Sequence, residues 1–232
     1  MHYVLVHGGN IDARCWRPLL PLLAPAALAV TLPGRPGNEA DHAGARFDAW
    51  ADSVIADMDA AGVRSAVLVG HSMGGGTLLA AARRHPHRIA RLVFVACPIP
   101  RDGGRLVDAL SPQARANIEA AAAAGEVTLR APRATSRQVA IAQRLSTRAP
   151  VAEALPPFLE PVDLAGLRRG IPCHYVRLAR DEAILPAMQD AYIARVRTCC
   201  PCEVIDLDAD HLVMVTRPRL LAQALAALPA PG

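Results

Sequence analysis

Short runs of branched apolar residues recur along the chain, and each run ends in turn residues. Apolar runs of this length without polar alternation are typical of strands that are buried on both faces of a parallel sheet. The pattern predicts strands in "YVLVHGG" (3–9), "SAVLVGHS" (65–72), "RLVFVACP" (91–98), "CHYVRLARD" (173–181) and "EVIDLDAD" (203–210).

Helical patterns separate these runs. Residues 75–90, "GGTLLAAARRHPHRIA", predict a helix that glycines open and Pro86 ends. Residues 217–228 predict a closing helix with Pro218 in its first turn. A strand, a helix and a strand at this spacing form a right-handed βαβ unit, so we expect an α/β fold with a mainly parallel sheet.

The stretch from about residue 98 to residue 165 breaks this rhythm. It carries Ala-rich helical segments and several prolines but no comparable apolar strand run. An insertion at this place would lie over the carboxyl ends of the strands, where ligands bind in doubly wound sheets. We therefore predict a single domain, residues 1–232, with a cap or lid at about 98–165.

Composition limits the classes of partner. All 25 basic residues are arginines, but the net charge of +4 is too small to indicate a nucleic-acid partner. The apolar stretch at 19–30 contains Pro21 and Pro25 and is too short to span a bilayer, so we expect no membrane partner.

Six cysteines raise the question of disulfides or a metal. Cys97 and Cys173 lie in strand-like runs and no export signal is recognisable, which favours a reducing, cytoplasmic compartment. A zinc site at "CCPC" (199–202) would need a second ligand pair, and none lies nearby. We expect these cysteines to form a turn, with no metal bound.

Gly70-His71-Ser72-Met73-Gly74 matches G-x-S-x-G, a turn that exposes a serine hydroxyl at the edge of a sheet. The alternative is an ordinary glycine-rich connection. Because a predicted buried strand precedes the motif and a predicted helix follows it, we interpret Ser72 as a nucleophile.

A serine hydroxyl needs a base, and the base needs a group that orients it. His211 follows the last predicted strand and should emerge at the same sheet edge as Ser72, whereas His174 lies inside a strand run and suits a buried structural role. The other histidines belong to turns, a helix end, a loop or the terminus.

The acid should end the penultimate strand, between nucleophile and base in chain order. Asp181 has this place, and Glu182 is the neighbouring alternative. A helix N-cap is the competing role for Asp181. Asp208 and Asp210 are interpreted as turn formers beside the predicted base.

Two backbone N–H groups should bind the developing oxyanion. One belongs to Met73, the residue after the nucleophile, and the other to Gly9 in the loop after the first strand.

Several motifs together resemble the α/β-hydrolase superfamily, in particular its compact branch of plant-type methylesterases, hydroxynitrile lyases and bacterial esterase relatives. They are "VLVHGG", "LPGRPG", "LVGHSMGG", "LARDEAILP" and "DADHLVMVTRP", within residues 3–98 and 165–228. The resemblance implies an α/β-hydrolase fold with a six-stranded, mainly parallel sheet, helices on both faces and a helical cap.

The same resemblance maps Ser72, Asp181 and His211 to a catalytic triad and Gly9 and Met73 to the oxyanion hole. The lyase members resemble "DHK" around the catalytic histidine, with a lysine directly after that histidine, and they carry a threonine in the first loop. Leu212 and Gly9 stand at those places here, which favours an esterase.

These features predict a serine hydrolase that acts on a small carboxylic ester through an acyl-enzyme at Ser72 and needs no cofactor. One alternative is an acyltransferase or thioesterase that takes its acyl group from a carrier-protein thioester in a biosynthetic pathway. Another is a hydrolase-like ligand-binding module with little turnover.

A stripe of arginines in the predicted cap bears on the carrier alternative. On a helix its members would fall within about 60° of one another, and no acidic residue occurs between Val127 and Ala152. The stripe consists of Arg133, Arg137, Arg144 and Arg148. A solvated helix face and a docking surface for an acidic carrier protein or an anionic substrate are the two interpretations.

Overall fold

The computed structural model describes residues 2–23, 26–130 and 151–229. The strands are β1 His2–Val6, β2 Ala26–Val30, β3 Ala66–His71, β4 Ile89–Val95, β5 Thr128–Leu129, β6 Glu153–Ala154, β7 Cys173–Leu178 and β8 Cys202–Leu207. Six of them form one parallel sheet in the order β2-β1-β3-β4-β7-β8, and β5 and β6 form a separate antiparallel pair. The predicted six-stranded parallel sheet is confirmed.

Helices cover both faces of the sheet. The helices are α1 Phe47–Ala60, α2 Gly74–Arg84, α3 Pro112–Ala123, α4 Pro156–Leu159, α5 Pro186–Arg197, α6 Val213–Thr216 and α7 Pro218–Ala226, with 3₁₀ turns at Ala13–Trp16, Leu20–Leu22, Pro86–Arg88, Leu106–Ala109 and Ala165–Arg169. One buried apolar cluster joins the sheet to α1, α2 and α5, and a second joins it to α6, α7 and the turn at Ala13–Trp16.

Burial on both faces explains the unbroken apolar runs. Within β1, Val4 packs in the cluster with α1 and α2, while Leu5 packs in the opposite cluster, and both side chains are fully buried. Successive residues of a strand point to opposite faces, so a strand in the middle of this sheet has no solvent side to mark with polar residues.

The edge strand β2 is a part of the sheet that the sequence pattern does not place. It lies in the apolar stretch at 19–30, where Ala26–Val30 pairs with β1. The stretch is rich in Ala and Leu and poor in the β-branched and aromatic residues that mark strands. In the described ranges, no helix combines the length and apolar character that crossing a bilayer requires.

The insertion between β4 and β7 contains α3, the β5–β6 pair and α4. Ser111 caps α3 by accepting the Ala114 N–H at 3.3 Å, and Pro112 occupies the first turn. Two-residue strands have too few positions for a recognisable period, so the sequence does not predict the β5–β6 pair. The arginine stripe, residues 133, 137, 144 and 148, lies outside the described residues, and the extent of the cap stays a prediction.

Candidate active site

Each predicted site residue follows a strand of the parallel sheet. Gly9 lies beyond β1, Ser72 directly after β3, Asp181 beyond β7 and His211 beyond β8. Since the carboxyl ends of parallel strands meet at one edge, the fold brings residues that are far apart in sequence to the same side of the sheet.

Ser72 occupies a tight turn between β3 and α2. Its φ of 51° is in the left-handed region, and its N–H donates to the Val95 carbonyl at 3.0 Å. The turn needs glycine at position 74, because a Cβ there would lie 2.8 Å from the His7 carbonyl oxygen. A serine held in this costly conformation beside a partly open surface fits an exposed nucleophile.

Asp181 and His211 are in direct contact. The His211 Nδ1 atom lies 2.7 Å from Asp181 Oδ2. The other carboxylate oxygen accepts the N–H groups of Ala183 and Ile184, both at 2.8 Å, and Asp181 is only 2% exposed. Because a carboxylate accepts, Nδ1 carries the proton and Nε2 of neutral His211 is left to accept one.

Among the described residues, the other acidic residues near His211 in sequence or in the preceding loop do not pair with its ring. Glu182 is exposed, and Asp208 pairs with Arg180 at the surface. Asp210 accepts the Leu212 N–H at 2.9 Å and so forms the turn expected of it. Asp181 does not cap α5, whose N-cap position belongs to Leu185.

His174 has the structural place expected of it. It is buried in β7, with its ring between Arg91 and Glu203.

His71 connects the Ser72 turn to the His211 loop. Its Nε2 lies 2.8 Å from the His211 carbonyl oxygen, and the two imidazole centroids are 4.6 Å apart. The carbonyl accepts, so Nε2 carries the proton, and burial holds the pKa of His71 well below its usual value. The hydrogen bonds of the described residues include none between the Ser72 hydroxyl and His211, a contact that often tightens only with substrate.

If Ser72 and His211 act as the predicted nucleophile and base on a short ester, His71→Leu should lower kcat about 10-fold, because the His211 backbone would lose its tie to the turn. His71→Gln retains an N–H donor and should recover most of the loss. Steady-state kinetics of the two variants check this. Equal activity of the leucine and glutamine variants would contradict a positioning role for the ring.

The two predicted oxyanion residues are neighbours. A Cβ added to Gly9 would lie 3.5 Å from the Met73 sulfur, and one added to Gly8 would lie 2.9 Å from Ser72 Cβ. Within the described residues, the hydrogen bonds include none donated by the Gly9 or Met73 N–H. The loop after β1 thus lies against the Ser72 turn, and Gly9 and Met73 stay the predicted oxyanion donors.

His7 fixes the peptide that carries the Gly9 N–H. Its Nδ1 lies 2.8 Å from the Gly8 carbonyl oxygen, and its Nε2 accepts the Leu32 N–H at 3.1 Å. The Gly8 carbonyl and the Gly9 N–H belong to the same planar peptide unit. A bond that fixes the direction of the carbonyl therefore also fixes the direction of the Gly9 N–H. The sequence signal for this role is the His-Gly pair directly after β1.

Burial and the nearby Arg35 lower the pKa of His7 to about 3. In the unfolded chain His7 has a pKa near 6.5, so between pH 6.5 and 3 the unfolded state binds a proton at this ring and the folded state does not. Its contribution to stability is complete above pH 6.5 and is lost as the pH falls from there towards 3.

We expect this group to lower the free energy of unfolding by about 1.4 kcal/mol per pH unit in that window. Urea unfolding at pH 6, 5 and 4 measures the slope, which His7→Gln should reduce by about 1.4 kcal/mol per pH unit. An identical slope in the variant would show that His7 titrates normally in the fold.

No three His, Cys, Asp or Glu side chains in the part of the chain that the structure describes are arranged to hold a metal ion. The six cysteines are free thiols. Cys199 and Cys200 lie in the connection between α5 and β8, and Cys202 begins β8. These cysteines are therefore at the amino ends of the strands, whereas Ser72 is at the carboxyl ends.

With this geometry in hand, comparison with known proteins shows the family. The Alpha/beta hydrolase family profile matches residues 3–224. The chain belongs to this family. The predicted resemblance to α/β-hydrolases, including plant esterases, is confirmed.

Two curated relatives are esterases by name. A pimeloyl-[acyl-carrier protein] methyl ester esterase of Aromatoleum aromaticum is 40% identical over 93 residues, which are 40% of this chain and 35% of the relative. The probable esterase PIR7A of Oryza sativa subsp. indica is 35% identical over 107 residues, which are 44% of this chain and 41% of the relative. The matches therefore span less than half the length of these relatives.

The fold of this hydrolase also agrees with a solved structure. An extracellular alpha/beta-hydrolase from a Paenibacillus species superposes with a TM-score of 0.81, covering 97% of this chain and 98% of the other, at 22% sequence identity. At this identity the comparison shows a shared fold.

Proposed function

We propose that this α/β-hydrolase is a serine esterase that cleaves a small carboxylic ester through an acyl-enzyme at Ser72. The observation that carries the proposal is the 2.7 Å Asp181–His211 bond at the sheet edge where Ser72 occupies its left-handed turn. A half-buried histidine that a buried carboxylate orients, at the same sheet edge as a half-buried serine, is the arrangement that activates a hydroxyl nucleophile.

In the proposed reaction, Ser72 Oγ attacks the ester carbonyl while His211 Nε2 takes the hydroxyl proton. The oxyanion accepts the N–H groups of Gly9 and Met73. The tetrahedral intermediate collapses, His211 protonates the departing alcohol, and the acyl group stays on Ser72. Water, deprotonated by His211, then attacks the acyl carbonyl, and His211 returns the proton to Ser72 Oγ as the acyl–oxygen bond breaks and the acid leaves.

The residues around the base favour an ester over a cyanohydrin. The place that holds a lysine in the resembling lyases is occupied by Leu212, a buried residue. An apolar residue there supplies no cation for a cyanide leaving group, so acyl transfer from an ester is the chemistry that the remaining groups support.

The experiment is steady-state hydrolysis of p-nitrophenyl acetate and butyrate by the wild type, Ser72→Ala and a control, Ser65→Ala. Ser65 is an exposed serine next to the other end of β3. We expect turnover by the wild type and the control but none above background by Ser72→Ala. Turnover that survives Ser72→Ala would refute the nucleophile, and a wild type without turnover would favour the ligand-binding module.

A carrier-borne acyl group is the second candidate. The name of the Aromatoleum aromaticum relative specifies an ester attached to acyl-carrier protein. We expect such a substrate to show a lower KM than the matching free methyl ester if a carrier docks on this chain. Equal KM values for the two esters would leave the small free ester as the substrate.

A further inference from the structure

A buried ion pair joins the insertion to the loop after β2. Glu153, on β6, places both carboxylate oxygens against one guanidinium nitrogen of Arg35, at 2.5 and 2.7 Å. Both side chains are fully buried. Taking two charges out of water is costly, so a pair in this place calls for a reason beyond ordinary surface pairing.

The Glu153 carboxylate also binds the loop that carries the predicted oxyanion donor. Its Oε2 accepts the N–H of Asn10 at 2.8 Å, and a Cβ built on Gly9 would lie 3.2 Å from the same oxygen. Asn10 follows Gly9 directly and has a φ of 57°. Asparagine tolerates the left-handed conformation better than most residues with a side chain, and the bond to Glu153 helps to hold it.

The side chain of Asn10 ties the loop to the insertion a second time. Its amide nitrogen donates to the Val151 carbonyl at 3.0 Å and is 3.4 Å from the Leu129 carbonyl. The loop after β1 is thus held through its backbone by a carboxylate and through its side chain by the β5–β6 segment.

Arg35 has a defined task in this arrangement. An unpaired carboxylate beside an oxyanion hole would oppose the negative charge that develops in the transition state. The guanidinium neutralises Glu153 and is itself fixed, since it donates to the Pro33 carbonyl at 3.1 Å and lies over the Trp50 ring at 4.8 Å.

We propose that Glu153 is a positioning residue for the oxyanion hole: it clamps the Asn10 amide and so fixes the neighbouring Gly9 N–H, while Arg35 cancels its charge. This inference rests on the proposed function, because it assumes that Gly9 receives an oxyanion. Glu153 touches none of the reacting atoms and acts only through the loop.

The test compares Glu153→Gln with Glu160→Gln. Glu160 is a matched control, because it also joins the insertion to the core through a backbone amide, the Phe47 N–H at 2.7 Å, and an arginine, Arg46. A glutamine at 153 has one acceptor oxygen for the amides of Asn10 and Ala154, which the carboxylate binds with separate oxygens. One of those bonds must therefore be lost.

We expect Glu153→Gln to lower kcat for p-nitrophenyl acetate about 10- to 100-fold with KM changed less than about 3-fold. The inhibition constant of an alkyl trifluoromethyl ketone, whose adduct with Ser72 carries an oxyanion, should rise by a similar factor. Glu160→Gln should stay within about 2-fold of the wild type in both measurements.

The double variant R35M/E153M guards against a folding defect, because it removes both charges and leaves neither buried alone. It should fold and still show the loss in kcat and in ketone affinity, since the Asn10 N–H lacks its acceptor. Wild-type kcat and ketone affinity in this folded variant, or equal losses in Glu153→Gln and Glu160→Gln, would overturn the proposal. Loss of turnover in Ser72→Ala shows separately that the esterase assignment stands.

Discussion

Replacing His211 with glutamine is expected to lower kcat/KM for p-nitrophenyl acetate by about 10⁴- to 10⁶-fold. Glutamine cannot take a proton from Ser72 or return one to the leaving alcohol, so the residual rate should come from binding and the oxyanion donors alone. Stopped-time assays at high enzyme concentration, with chemical denaturation to verify the fold, measure the effect.

The chain offers a matched control for this variant. His85 lies 2.7 Å from Asp52, the same separation as in the Asp181–His211 pair, but it follows α2 at a partly exposed surface away from Ser72. His85→Gln should retain wild-type turnover. A His211→Gln variant that keeps more than about one tenth of the activity would mean that another group is the base.

Asp181→Asn is expected to lower kcat by about 10⁴-fold while the protein stays folded. An asparagine that offers its amide nitrogen to Nδ1 would favour the opposite imidazole tautomer, with the proton on Nε2, so His211 could no longer accept from Ser72. The single side-chain oxygen of the asparagine could still accept the Ala183 and Ile184 N–H groups, as Asp181 Oδ1 does, which preserves the loop.

Kinetics of Asp181→Asn, Glu182→Gln and Asp52→Asn test this directly. We expect the first variant to be nearly inactive and the other two to resemble the wild type, because Glu182 is exposed and Asp52 partners His85. A large loss in Glu182→Gln, with Asp181→Asn active, would transfer the orienting role to the neighbouring carboxylate.

The sequence pattern predicts the parallel sheet and the candidate site residues because both depend on local signals. Branched apolar runs mark the interior strands, and the residues after these runs must share one edge once the strands are parallel. Ser72, Asp181 and His211 each follow such a run. The strand Ala26–Val30 lacks this signal, since its alanines and leucine fit several elements equally well.

Residues whose contacts join parts of the chain that are far apart in sequence cannot be predicted in this way. His7 and His71 belong to recognisable turns, but their hydrogen bonds to the Gly8 and His211 carbonyls depend on tertiary structure. Glu153 is separated from Arg35 by 118 positions, and no spacing rule joins them. A lone acidic residue between apolar neighbours is the only local hint of a buried carboxylate.

Intact-protein mass spectrometry after reaction with an alkyl fluorophosphonate tests the central claim most directly. We predict one phosphonyl adduct per wild-type chain, located on Ser72 by peptide sequencing, together with loss of ester turnover in step with labelling. Ser65→Ala should label normally and Ser72→Ala should not label. An adduct on another residue, or a wild type that turns over esters but leaves Ser72 unmodified, would contradict the account.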